Sequence, residues 1–126
     1  MDKEIVSTPK APGAIGPYSQ AVKTGLVVFT SGQIGLDPAT GELVSQDFEA
    51  QVRQSFSNLA AVAQGAGGSL ASAVKFTLYL TDLSKFAKVN EIMTEMVARP
   101  YPARSTVGVA SLPKGALFEV EAILVL

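Results

Sequence analysis

Residues 72 to 82, SAVKFTLYLTD, alternate so strictly that they constrain everything around them. Successive side chains of an extended chain point to opposite faces, so Val74, Phe76, Leu78 and Leu80 share one face and Lys75, Thr77, Tyr79 and Thr81 the other. This is a strand with unlike faces, and its apolar face has to be covered. On both sides of it the period changes. Between about Gln46 and Gln64, Phe48, Val52, Phe56, Leu59 and Ala63 recur at steps of three and four, which predicts a helix with one apolar stripe. Ser45 or Asp47 can cap its start, Glu49 and Arg53 form an i,i+4 pair on its wet side, and GAGG ends it. A second helix is predicted from about Ser84 to Ala98, stopped by RPYP because proline cannot continue the hydrogen-bond ladder. Its buried stripe is Phe86, Val89, Met93, Met96 and Val97, with Asn90 inside it.

The flanks read as strands and turns. EIVS is a short edge strand, and PKAPGAIGPYSQ, with its prolines and glycines, is loop until about Tyr18. YSQAVKTGLVVFTSG is a hairpin joined at KTG, and LDPATGEL is turn chemistry. ARSTVGVA and ALFEVEAILVL close the chain as two strands joined by SLPKG. The order β-β-β-α-β-α-β-β predicts an α+β fold, a mixed sheet with two helices packed on one face. Leu26 to Phe29 and Ala122 to Leu126 are apolar on both sides, whereas a half-wet sheet alternates. At about 25 cal/mol per Å² of apolar area, leaving these side chains in water costs several kcal/mol. Another subunit is expected to cover them.

Composition narrows the chemistry. At 126 residues, 48% of them hydrophobic, with no linker-like stretch, 1–126 reads as one domain. Ten basic and eleven acidic residues leave a formal charge of −1, without the basic excess of a nucleic-acid binder. No apolar run approaches the roughly 18 residues of a membrane helix, and MDKEIVSTPK lacks a secretory core, so a cytoplasmic protein is expected. The absence of Cys and His removes thiolate nucleophiles, Ser-His-Asp triads and the usual zinc ligand sets. Without a cofactor, an enzyme of this composition works with Arg, Lys, Tyr, carboxylates, hydroxyls and backbone groups, which suits a substrate that is already reactive. Lys75 and Lys114 read as solvated charges, although composition allows a Schiff-base lysine.

Against that background Arg104 stands out, entering an expected buried strand in a chain only 17% charged. Period two puts Arg104, Thr106 and Gly108 on one face and Ser105, Val107 and Val109 on the other. A tight reversal at SLPKG would pair the last two strands and bring Arg104 near Glu119, which shares its face with Glu121. Two readings fit. One is a structural ion pair, since buried charges are generally paired. The other is a carboxylate site, in which a planar guanidinium binds bidentately and Glu119 orients a water. Asn90 needs a partner, either a ligand or nearby backbone. Ser31 and Gly32 form either a plain turn or a bend whose N–H groups meet an anion. Tyr18 either lines a pocket or fills core.

AIGPYSQAV, FTSGQIGLDPATGE, QVRQSFSNL, VKFTLYLTDLSKFAKVN and YPARSTVGVASLPKGALFEVEAI, in that order, resemble the RidA family of reactive intermediate deaminases, also called YjgF. The resemblance covers nearly the whole chain. It implies a chorismate-mutase-like fold, a homotrimer with three intersubunit clefts for small carboxylates, and no metal or organic cofactor. It also implies hydrolysis of 2-iminobutanoate, 2-iminopropanoate and their enamine tautomers, released by pyridoxal-phosphate dehydratases, to 2-oxo acids and ammonia. The family's carboxylate-binding arginine falls on Arg104 and its water-associated glutamate on Glu119. The remaining pocket positions fall on Tyr18, Ser31, Gly32, Asn90 and Thr106, the last often a cysteine, where the backbone binds. The segment from Asn90 to Arg104 is shorter than in familiar members, which bears on the substrate's side-chain pocket. A non-catalytic 2-oxo acid binding or regulatory module of the same fold is the alternative. Chaperone-like or RNA-cleaving activity is a further class, disfavoured for RNA by the charge balance.

Overall fold

The computed structural model describes residues 2–126. Its strands are β1 (Glu4–Val6), β2 (Ala21–Thr24), β3 (Val27–Thr30), β4 (Ala73–Leu80), β5 (Ala103–Gly108) and β6 (Phe118–Val125). The helices are α1 (Phe48–Gly65) and α2 (Phe86–Met96). The expected order of elements is observed. The strands form one sheet in the order β1-β2-β3-β6-β4-β5, antiparallel throughout except for the parallel pair β4 and β5.

Local sequence explains most of these elements. Gly25, at φ +59, turns the hairpin between β2 and β3. Asp47 caps α1, its carboxylate accepting from the Ala50 N–H at 3.0 Å, and Glu49 pairs with Arg53 at 3.1 Å. Both helices lie on one face of the sheet. Phe76, Leu78 and Leu80 of β4 and Phe118, Val120 and Leu124 of β6 are fully buried beneath them. Phe56 of α1 packs edge-on to Phe76 and tilted against Phe118, both at 5.8 Å between ring centres. Among the described residues no helix is long and apolar enough to cross a membrane.

Several expectations are corrected. Val74 is exposed, because the pairing of β4 with β6 shifts by one residue between Ala73 and Lys75 and takes it out of the alternation. A short 3₁₀ turn at Leu83–Lys85 precedes α2, which begins at Phe86. Ile92 joins Val89 and Met93 in the buried stripe of α2 and Val97 is buried at its end as expected, while Met96 is partly buried and Phe86 is 39% exposed. The main correction concerns the last two strands. They run in opposite directions, but they are not neighbours, because β4 lies between them. Residues 109–117 connect them, longer than the two to five residues of a tight hairpin, and so can cross a strand. β5 is thus an edge strand, and it is mostly exposed rather than buried.

Candidate functional site

Arg104 meets α2 instead of a carboxylate. It pairs with Phe76, whose side chain is buried beneath the helices, so the guanidinium emerges on the helix side of the sheet. Its Nη1 donates to Asn90 Oδ1 at 2.6 Å and lies 3.5 Å from Met93 Sδ. Its Cζ stands 5.0 Å from the centre of the Phe86 ring, a cation–π distance. Phe86, Asn90 and Met93 follow at steps of four and three, which puts all three on one stripe of α2. None of the ion pairs among the described residues includes Arg104, so the first of the two readings, an ion pair with Glu119, is not realised within the chain.

A guanidinium has five N–H donors in one plane, and the bond to Asn90 engages one edge only. Beside it lies a cavity of about 310 Å³ bounded by Met93, Thr94, Tyr101 and Pro102 as well as Asn90 and Arg104. Arg99 Cζ stands 5.2 Å from the centre of the Tyr101 ring. Thr106 shares the face of Arg104 without forming a wall of this cavity, and its Oγ1 is buried with no hydrogen-bond partner.

Tyr18, Ser31, Gly32 and Glu119 meet in a different cavity, of about 390 Å³, which Glu121, Ile15 and Pro113 also line. Its loops are held from below by buried polar side chains. Gln20 accepts from the Thr8 N–H at 2.7 Å and donates to Pro12 O at 2.8 Å, fixing the proline-rich segment that carries Tyr18. Asn58 of α1 donates to Ile34 O at 3.1 Å and Leu36 O at 2.9 Å, and the Gln51 amide accepts from the Leu117 N–H at 2.8 Å. The Ser31 N–H is taken by Gln20 O at 2.9 Å and its hydroxyl by Ser19 O at 2.6 Å, which leaves Gly32 as the position where backbone can approach a ligand. Gly32 has a steric duty as well. A Cβ there would stand 2.7 Å from the carboxylate carbon of Glu119.

Burial holds the Glu119 carboxyl above the usual range, and the charge of Glu121 adds to this. The Tyr79 hydroxyl donates to Glu121 Oε1 at 2.7 Å, and that bond, with burial and the neighbouring carboxylates, pushes its phenol up to about 12. Two groups of residues result: Arg104 and Asn90, with Thr106 behind them, on the helix side; Tyr18, Ser31, Gly32 and Glu119 on the other side of β4. Sequence alone did not point to the roles of Gln20, Gln51, Asn58, Phe86 or Tyr79. A signal for two of them was present, since Gln51, Ser55 and Asn58 recur at steps of four and three beside the apolar stripe of α1 and are buried there.

A mixed sheet in this order, with two helices on one face, a guanidinium pocket on one side and an acidic, glycine-lined cavity on the other, defines a protein of the RidA/YjgF fold. RidA from the Antarctic bacterium Psychrobacter superposes with a TM-score of 0.95 at 51% identity, over 98% of this chain and 99% of that one. The endoribonuclease L-PSP family model matches residues 8–126, and the chain belongs to that family, which includes RidA and YjgF. A 2-iminobutanoate/2-iminopropanoate deaminase of Dermatophagoides farinae is 44% identical over 98% of this chain and 97% of its own length. E. coli TdcF, solved with bound serine, is 45% identical with a TM-score of 0.89, over 98% of both chains.

Proposed function

We propose that the chain is a hydrolase of 2-imino acids, a 2-iminobutanoate/2-iminopropanoate deaminase that needs no metal or organic cofactor and works in the cytoplasm as a homotrimer of single domains spanning 1–126. The observation that carries this reading is the guanidinium of Arg104, positioned by Asn90 and Phe86, without an acidic partner among the described residues, and beside a cavity. A cation so held is suited to a carboxylate ligand. Serine, bound by the relative TdcF, is such a carboxylate, and a formal charge of −1 lacks the basic excess that phosphate-dominated binding of nucleic acid needs.

The two groups of residues complete one site if a second copy presents its acidic cavity to the pocket at Arg104. Ile5, Phe29, Val107 and Val125 are exposed on the strands, which supports burial of this apolar surface between copies. In the resulting cleft Arg104 holds the substrate carboxylate, and Glu119 accepts a proton as the oxygen of water adds to C2. The proton on Glu119 passes to the former imine nitrogen, giving a carbinolamine, whose hydroxyl proton then moves through Glu119 to the amino group as the C–N bond breaks and ammonia and the 2-oxo acid leave. Free imines hydrolyse readily, so holding water and imine in register accounts for the modest acceleration required.

A dehydratase acting on threonine, coupled to detection of 2-oxobutanoate, tests the assignment. Addition of the protein should accelerate release of the oxo acid. Saturable binding of 2-oxobutanoate without any acceleration would replace the enzyme by a sensor built on the same clamp.

A further inference from the structure

β6 carries Glu119 and Glu121 two residues apart on the sheet face away from the helices, and β4 sets Tyr79 directly opposite Glu119. The Tyr79 hydroxyl nevertheless bonds diagonally to Glu121, whose own cross-strand partner is Thr77. Glu121 is thereby pinned, and both carboxylates line the cavity that contains Gly32. Building on the proposed role of Glu119 in activating water, we infer that Tyr79 and Glu121 are positioning residues that set the proton affinity of Glu119, the phenol fixing a second negative charge beside the working carboxylate.

The directions of titration agree with the geometry. Burial is the larger cause of the raised proton affinity of Glu119 and the charge of Glu121 is the second. Tyr79, pushed up to about 12, stays a hydrogen-bond donor across neutral pH. The other ionisable groups near this face are engaged elsewhere or more distant. Lys75 of β4 bonds Ser105 Oγ at 3.2 Å, Lys114 beyond Pro113 bonds Gly41 O at 2.9 Å, and the Tyr18 hydroxyl accepts from the Ile15 N–H of its own loop at 3.3 Å. The loop at Gly32 brings no charge. In a trimer the Arg104 of a second copy is added, and the substitutions proposed below leave it in place. A base that takes a proton from water gains driving force as its affinity for that proton rises, up to the working pH.

The test is a ¹³C NMR titration of the Glu119 carboxyl in the wild-type protein and in Tyr79→Phe and Glu121→Gln, alongside the pH profile of kcat/KM. Glu121→Gln removes a like charge and should lower the Glu119 midpoint. Tyr79→Phe releases the Glu121 charge from its place beside Glu119 and should lower the Glu119 midpoint as well, by less than Glu121→Gln does. The acid limb of the rate profile should move to lower pH in both variants, further in Glu121→Gln. In Glu121→Gln the Tyr79 phenol, followed by absorbance, should fall from about 12 toward the ordinary value near 10. Unmoved midpoints, or a Glu119 midpoint that rises in either variant, would overturn the inference, as would a fall in Tm alone. A wild-type protein that hydrolyses no imine but shows the graded lowering would overturn the deaminase assignment and leave the coupling standing.

Discussion

Arg104 and Glu119 stand on opposite faces of one sheet with β4 between their strands. Arg104 is paired with Phe76 and Glu119 with Tyr79, three residues further along β4, and the odd spacing puts the two charges on opposite sides. Neither neutralises the other within a chain. This removes an ion pair within the chain as an explanation for Arg104, and a cleft containing both residues is the one proposed above between copies.

Replacing Arg104 should therefore cost activity and little stability. Arg104→Lys keeps the charge but loses the planar fork, and should lower kcat/KM roughly 10- to 100-fold, the worth of a charge-assisted hydrogen bond. Arg104→Met should leave stability within about 1 kcal/mol of wild type, as for exposed substitutions generally. Thermal melting and the dehydratase-coupled assay on the same samples check both. A fully active Arg104→Lys trimer would remove the clamp.

Mixing variants tests the shared cleft. Arg104→Ala and Glu119→Gln should each be inactive as pure proteins. When co-refolded as a homotrimer with head-to-tail clefts, a random equal mixture places both native residues in about a quarter of the clefts. Activity near that fraction of wild type is the expected result, whereas continued inactivity would mean that each site is built within one chain. A monomer mass by sedimentation at micromolar concentration would likewise rule out a cleft shared between copies.

Gly32→Ala should separate function from folding in the opposite sense to a core change. Gly32 is exposed and the group in its way is the end of a side chain, so the carboxylate of Glu119 can swing aside at small cost to the fold. The expected result is a Tm within a few degrees of wild type, about what 1 kcal/mol produces in a domain of this size, with most activity lost because Glu119 has left its place. Phe56→Ala, by contrast, empties the fully buried junction with Phe76 and Phe118 and should cost about 3–5 kcal/mol.

Stability should carry the signature of Glu119. Its folded proton affinity is raised, chiefly by burial, above the value of about 4.3 expected in the unfolded chain. The unfolded state consequently releases this proton first as pH rises, and the folded state loses stability from about the unfolded value up through the folded one. Glu119→Gln removes that loss. Chemical denaturation should find the variant more stable than wild type at neutral pH and the advantage gone below about pH 4, the range in which both states of wild type hold the proton.

Much of this molecule was legible because periodicity is a local property. Phe76, Leu78 and Leu80 alternate in the chain and are buried in the fold, and Val52, Phe56 and Leu59 recur at helical steps and pack against them. The Asp47 cap, the Glu49–Arg53 pair and the glycine stop of α1 also depend on neighbours within a few residues. Asn90 stood out for the same reason, as a polar group interrupting the apolar side of a helix.

Alternation reports which face a side chain occupies, but it does not say which strand lies alongside. Whether β5 pairs with β6 or with β4 depends on a nine-residue connection, 109–117, that can cross a strand, and on the fit of β6 between β3 and β4. That choice is made by long-range packing of the two helices over the sheet, and it decided that Arg104 meets Asn90 and Phe86 while Glu119 meets Gly32. The bond from Tyr79 to Glu121 spans 42 residues of sequence and exists because β4 and β6 are neighbours. Thus the chain by itself determined its elements, their faces and its arginine and carboxylate chemistry, because these follow from residue type and local spacing. Tertiary structure alone decided which of those groups meet, because strand neighbours are selected by burial summed over the whole sheet.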